Sequence, residues 1–181
     1  MRRPLILLAA LLTALALAAC DAQNATLEIQ GQLQGPYEVH RITDGDTLRV
    51  YAANDAGETI SIPVRLIGID TPEITNGKME AFGPEAAAYL TNLTQAGQVY
   101  LELDIEPYDR YDRLLAYVYV PDPTGYWAAA DGRRYTQANH AIALAGLAQP
   151  LTIQPNSRYS LTLAAAVQAA RDARRGMWAD L

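Results

Sequence analysis

An α+β fold, a small β-barrel carrying three helices, is predicted by two patterns in this 181-residue chain. Short alternating apolar stretches joined by tight turns recur through its first two thirds, and helical spacing takes over towards the C-terminus. Composition agrees: half of the residues are hydrophobic and 19% are charged, ordinary values for a packed core, so wholesale disorder is excluded. The length suits one domain, or one domain and a small appendage. A single Cys excludes an internal disulfide framework and any zinc site built on several thiolates. A net charge of −6 argues against a generally basic nucleic-acid coat protein, while leaving room for a local cationic pocket.

The first element lies outside that fold. Arg2 and Arg3 precede an apolar run from Leu5 to Ala19, the pattern of an export signal. The run is short for a transmembrane helix and has no basic flank after it. It closes on Leu17-Ala18-Ala19-Cys20, which resembles the lipobox of bacterial lipoproteins. The resemblance implies that residues 1–19 are removed and that Cys20 becomes a lipid-modified first residue on the outer face of a membrane. An ordinary cleaved signal, giving a secreted protein, is the other reading. Without residues 1–19 the chain keeps 162 residues, with 12 basic and 20 acidic side chains, a charge of −8. Residues 20–36 are polar and rich in Gln, Gly and Ala, and read as a flexible tether. The domain is then expected to span residues 37–181, as a monomer.

Within it, Tyr37–Thr43, Thr47–Ala52 and Thr59–Ile69 alternate as strands. The turns between them are Asp44-Gly45-Asp46 and Asn54-Asp55-Ala56-Gly57. Gly83 and Pro84 open a helix, with Pro at its first position and Ala86, Tyr89, Leu90 and Leu93 on one face. Val99–Ile105 alternates as a fourth strand, with Val99, Leu101, Leu103 and Ile105 inward, and Leu114–Val120 is a fifth. Pro121–Arg134 is turn-rich and reads as a long surface loop. Gln137–Leu144 and Tyr159–Arg175 are helices, the second with Leu163, Val167 and Ala170 as its core stripe. Three strands, a helix, two strands and further helices is the order of a five-stranded OB-fold barrel with appended helices.

Two clusters carry chemistry. Asp46 opens the second strand, while Asp70, Thr71 and Glu73 follow the third, so all three carboxylates meet at one barrel edge if the strands are neighbours. Such oxygen donors suit Ca²⁺ or Mg²⁺ rather than a soft metal. Taken alone, Asp44 and Asp46 also read as turn formers, and Asp70 and Thr71 as a cap before Pro72. Arg65 alternates along the third strand, and Arg113 begins the fifth, within Asp109-Arg110-Tyr111-Asp112-Arg113. Arginine forks grip two phosphate oxygens; a surface ion pair with a nearby carboxylate is the alternative.

These blocks, together with Gly83-Pro84-Glu85-Ala86, Asn139–Ala148 and Gly176-Met177-Trp178, resemble the thermonucleases, the staphylococcal nuclease-like family. The resemblance runs from about Val39 to Trp178. It implies a Ca²⁺-dependent nuclease on DNA and RNA that leaves 3′-phosphate ends. Asp46, Asp70 and the carbonyl of Thr71 would hold one Ca²⁺, with Asp44 orienting a water just outside them. Glu73 would activate the attacking water, Arg65 and Arg113 would clamp the phosphate, and Arg110 and Tyr111 would bind a terminal phosphate. Two departures stand out: Asp112 occupies a position where the family usually has Gly, and the family's base-stacking tyrosines have no match near Thr152–Gln154. Tyr111 or Tyr159 could substitute for them, although Tyr159, at a helix start, reads equally as a packing residue. A non-catalytic OB-fold lipoprotein that binds nucleic acid or protein is the alternative function.

Overall fold

A computed structural model describes residues 26–75 and 77–180. The export signal, Cys20 and the first part of the expected tether lie outside these residues.

The chain forms ten strands, three α-helices and one 3₁₀ turn among the described residues. In order they are β1 (Leu27–Glu28), β2 (Leu33–Asp44), β3 (Thr47–Ala53), β4 (Thr59–Leu66), β5 (Gly68–Asp70), α1 (Gly83–Leu93), β6 (Gln98–Tyr108) and β7 (Leu114–Pro121). Then come β8 (Trp127–Ala128), β9 (Arg134–Gln137), α2 (Ala138–Leu144), β10 (Gln149–Leu151), α3 (Ser160–Asp172) and the 3₁₀ turn Gly176–Trp178. Strands β6, β2, β3, β4 and β7 neighbour one another in that order, and β7 pairs back onto β6, closing a five-stranded ring. All pairings in the ring are antiparallel except β4 with β7. The chain is therefore α+β, an OB-type barrel with three helices.

The interior follows from alternation: Leu48, Val50, Val64, Leu66, Val99, Leu101, Ala116 and Val118 are buried. Helix α1 adds Ala86 and Leu90, and α3 adds Leu163, Val167 and Ala170, the stripe that its spacing predicts. Asn139 of α2 is wholly buried and fully used. Its amide donates to the Ile67 carbonyl at 2.7 Å and its oxygen accepts the Val118 amide at 2.9 Å, locking α2 to the end of β4 and to β7.

Four expectations are corrected. The segment 27–36, expected in the tether, contributes two strands, at 27–28 and 33–36: Leu27 pairs in parallel with Trp127, and Leu33 and Gln34 with Glu102 and Leu101. The third strand is divided at Gly68, whose φ of +83° turns β5 away from the ring. Ile105 is exposed rather than inward, because the β6–β7 register shifts between Leu103 and Tyr108. The stretch 121–134 is not all surface loop. Trp127 is buried against the rings of Tyr119 and Tyr159, and β8 and β9 extend the sheet.

Candidate active site

The two sequence clusters meet because of strand register. In β3–β4, Thr47 stands opposite Arg65, which sets Asp46 beside Arg65. In β4–β7, Val64 stands opposite Leu114 and Arg65 opposite Leu115, which brings Arg113 to the same end of the barrel. The turn at Gly45 comes so close to α1 that an added Cβ would stand 2.5 Å from the Ala86 methyl carbon and 2.8 Å from Thr71 Oγ1. Only Gly fits there, and its absence of side chain lets Asp44 and Asp46 approach the end of β5. Strand β10 pairs with β5 through Gln149–Asp70 and Leu151–Gly68, and carries Leu151 and Ile153 to the other wall.

The result is a cleft of about 640 Å³ lined by Asp44, Asp46, Arg65, Asp70, Thr71, Glu73, Arg110, Tyr111 and Arg113, among others. All nine residues that the sequence marks as site candidates in the domain line this one space. Cys20, the tenth candidate, lies outside the described residues.

Arg65 is the hinge of the arrangement. Its Nη1 donates to the carbonyls of Leu66 and Ile69, at 2.7 and 2.9 Å. Its Nη2 lies 3.1 Å from Asp46 Oδ2 and 3.0 Å from Asp70 Oδ1. Two carboxylates, one from the β2–β3 turn and one from β5, thus converge on one guanidinium nitrogen. Asp46 is buried, and also accepts the Thr71 amide at 2.8 Å and the Thr47 hydroxyl at 3.2 Å. Burial nevertheless pushes its pKa up to about 6; Arg65 pulls it down by less, and Asp44 adds to the rise. Asp44 Oδ1 accepts the Asp46 amide at 3.1 Å and so stiffens the turn.

Glu73 lies in the same cleft but does not join that convergence. Its Oε1 accepts the amides of Ile74 and Thr75, at 3.1 and 2.9 Å, and the Thr75 hydroxyl. That hydroxyl above all holds the Glu73 pKa below the ordinary carboxylate range, so the group is ionised at neutral pH. Arg113 is anchored by Asp109, Nε to Oδ2 at 2.8 Å. Burial acts to raise the Asp109 pKa, but hydrogen bonds from the amides of Arg113 and Tyr111 and from the Arg113 guanidinium outweigh it and leave Asp109 lowered. Arg110 donates to the Tyr111 hydroxyl at 2.6 Å, with its guanidinium carbon 4.7 Å from the ring centre.

Sequence reasoning gave Asp109 no role, although its (i, i+4) spacing to Arg113 is visible in the chain. Tyr159 is no surrogate for a base-stacking ring, because it is buried and its hydroxyl bonds to Glu102 at 3.0 Å. Asp112 sits at φ +58°, in the left-handed region, which accounts for a preference for Gly at this turn.

The donor set fits a hard divalent cation. Asp46 and Asp70 offer carboxylate oxygens, Thr71 its carbonyl, and the under-compensated charge of buried Asp46 is of the kind that such an ion offsets. Among the described residues no three His, Cys, Asp or Glu side chains form a ready-made cage, so backbone and water oxygens would complete the shell.

Comparison with known proteins gives the chemistry a context. The profile of the staphylococcal nuclease homologue family matches residues 63–180. The thermonuclease of Staphylococcus intermedius is 29% identical over 158 residues, covering 86% of this chain and 82% of that protein. The thermonuclease of Staphylococcus hyicus is 30% identical over 146 residues, covering 80% and 76%. The endonuclease YncB of Bacillus subtilis is 30% identical over 142 residues, covering 76% of this chain and 59% of its own.

Proposed function

We infer the reaction from the premise that this chain belongs to the staphylococcal nuclease homologue family: it is a hydrolase, a nuclease acting on nucleic acid. More specifically, it cleaves phosphodiester bonds of DNA and RNA in a Ca²⁺-dependent reaction and leaves 3′-phosphate ends. The observation that carries this reading is the convergence of Asp46 and Asp70 on Arg65, in a cleft also lined by Glu73 and Arg113.

Each residue has a physical task. Hydroxide is repelled by an anionic phosphodiester, and the five-coordinate transition state carries still more negative charge. Arg65 and Arg113 lie on the walls of the cleft and supply two positive forks towards that charge. Both are held by fixed partners, carbonyls and carboxylates for Arg65 and Asp109 for Arg113, so little reorganisation is needed during reaction. Asp46, Asp70 and the Thr71 carbonyl would hold the Ca²⁺, which would supply further neutralisation of negative charge at the phosphate. Glu73 takes a proton from the attacking water as its oxygen bonds to phosphorus, and its hydrogen bonds keep it in the ionised form that this step needs. The bond from phosphorus to the 5′ oxygen breaks, and the departing alkoxide is protonated from solvent. Arg110 and Tyr111 extend the cationic wall, where they suit a terminal phosphate. The protein is exported and tethered to the outer face of a bacterial membrane through a lipid on Cys20, and acts as a monomer with residues 1–19 removed.

The test is cleavage of single-stranded DNA by the purified chain, with end analysis. Cleavage in Ca²⁺ that stops with a chelator and yields 3′-phosphates supports the reading; undiminished cleavage in the chelator contradicts the metal dependence.

A further inference from the structure

Acidic side chains outnumber basic ones in this chain, 20 to 14, yet arginines gather on the outer face of the barrel beside the cleft. Across the sheet the strand order is β7, β4, β3, β2. Arg113 immediately precedes β7, Arg65 lies on β4, Arg49 on β3 and Arg41 on β2. Register turns this order into a line. Thr47 stands opposite Arg65, and Arg49, two residues further along β3, faces the same side of the sheet as Thr47. Arg65 and Arg49 are thus diagonal neighbours, about 7–8 Å apart. Arg41 in turn stands directly opposite Arg49.

The pairing of Arg41 with Arg49 is unfavourable in itself, because like charges directly opposite on a sheet repel. Neither arginine has an ion-pair partner among the described residues. Glu38, three residues before Arg41, stands opposite Gln98 of β6 and does not neutralise them. A bulge adds to the crowding. The β2–β3 register shifts between Val39 and Arg41, so His40 and Arg41 both oppose Arg49, and both are exposed. Arg49 is fixed from β4: its Nε donates to Ser61 Oγ at 2.9 Å and its Nη2 to the Ser61 carbonyl. His40 Nδ1 lies 2.7 Å from the same Oγ, and the imidazole stacks on Tyr51 with ring centres 4.6 Å apart. The Arg41 guanidinium, Arg49 Nη1 and His40 Nε2 are left without a partner among the described residues. Fixed donors and uncompensated positive charge on one sheet face are the footprint of a polyanion.

We propose that Arg41, Arg49 and His40 form a second phosphate site, outside the cleft, that holds the substrate backbone beyond the scissile phosphate. Sheet order puts this site on the β3–β2 side of Arg65, away from Arg110 and Tyr111 on the β7 side. A phosphodiester placed between Arg41 and Arg49 turns their mutual repulsion into two attractions. The site rests on the nuclease reading of the cleft and adds the path that a longer strand takes across the barrel. It also gives a chain of net charge −6 a local hold on a polyanion.

Fluorescence anisotropy of the full chain with a labelled single-stranded oligonucleotide, over a salt series and in chelator so that cleavage does not intervene, tests the site. Arg41→Ala should weaken binding about fivefold at low salt and flatten the slope of log affinity against log salt by about 0.7, the loss of one phosphate contact. Arg41→Lys should stay within about twofold of the parent, and Arg41→Glu should lose more than Arg41→Ala. The Arg41→Ala loss should shrink as the strand is shortened towards a dinucleotide, which cannot reach both Arg65 and Arg41. Its melting temperature should equal or exceed the parent's, because a like-charge pair is removed. Unchanged affinity and salt slope in Arg41→Ala, or an equal fractional loss at every strand length, would overturn the site. A parent chain that shows these losses but never cuts the strand in Ca²⁺ would uphold the site and overturn the nuclease reading; a parent that binds no strand would overturn both.

Discussion

Two of the clusters in which carboxylates meet arginine among the described residues are built to opposite specifications. The Glu102 carboxylate is saturated with donors. Glu102 is fully buried; it accepts from the Tyr119 hydroxyl at 2.6 Å, from the Tyr159 hydroxyl at 3.0 Å, from Arg158 at 2.7 Å and from the Gly31 amide at 2.6 Å. Asp104 takes the Tyr117 hydroxyl at 3.2 Å and the Arg158 amide at 3.0 Å. Burial drives the tyrosine pKa values upwards, that of Tyr159 to about 12, so these hydroxyls remain donors. In the cleft, by contrast, Asp46 and Asp70 share one nitrogen, Asp46 is left with a raised pKa, and Arg110 and Tyr111 face open space. A saturated cluster can only hold the fold together; an unsaturated one has charge left for a ligand.

The contrast is tested by removing one charge from each side. Arg113→Ala should lower kcat on single-stranded DNA by about 10²–10³, the usual loss for one donor to a developing oxyanion. Its melting temperature should hardly move, because its pair with Asp109 is partly exposed. Glu102→Ala should do the reverse. Removing one partner of a buried ion pair typically costs about 3–5 kcal/mol of stability. Thermal unfolding should therefore shift down by roughly 10 °C, with kcat at low temperature retained. A rate loss in Glu102→Ala as large as in Arg113→Ala would erase the distinction. The smallest effect belongs to Asp112, beside the clamp. Asp112→Gly removes a negative charge and relieves φ +58°, and should lower KM by about two- to fivefold, with a stability change under about 1 kcal/mol. A higher KM would show that the carboxylate assists binding.

Legibility from sequence differs between the same two regions. The cleft was readable because its residues sit at turns and strand ends, where Asp, Gly, Arg and Glu leave distinctive short patterns. What sequence could not supply was the pointing of Glu73, which depends on hydrogen bonds within the Ile74–Thr75 turn. The Glu102 cluster was invisible. In a strand that alternates as Val99, Leu101 and Leu103, Glu102 reads as solvent-facing, and it is buried only because the outer side of β6 is covered. That cover is the arm from Leu27 to Leu33, held by its pairing with Trp127 and by Glu102 itself, together with Tyr159 at the start of α3. The residues joined by these contacts lie up to 129 positions apart, beyond any local pattern. Trp127 and Tyr135 were hidden in the same way, by the Pro, Asp and Gly residues that surround them. The helices were legible throughout, since Pro84 opens α1 and Leu163, Val167 and Ala170 recur at helical spacing.

The central claim is that the open cleft, and Glu73 within it, performs hydrolysis. Its most direct test is the rate of single-stranded DNA cleavage by Glu73→Gln in Ca²⁺, with thermal unfolding followed alongside. A rate at least about a hundredfold below that of the parent, in a protein that melts at the same temperature, is the predicted result. Cleavage at the parental rate would contradict it.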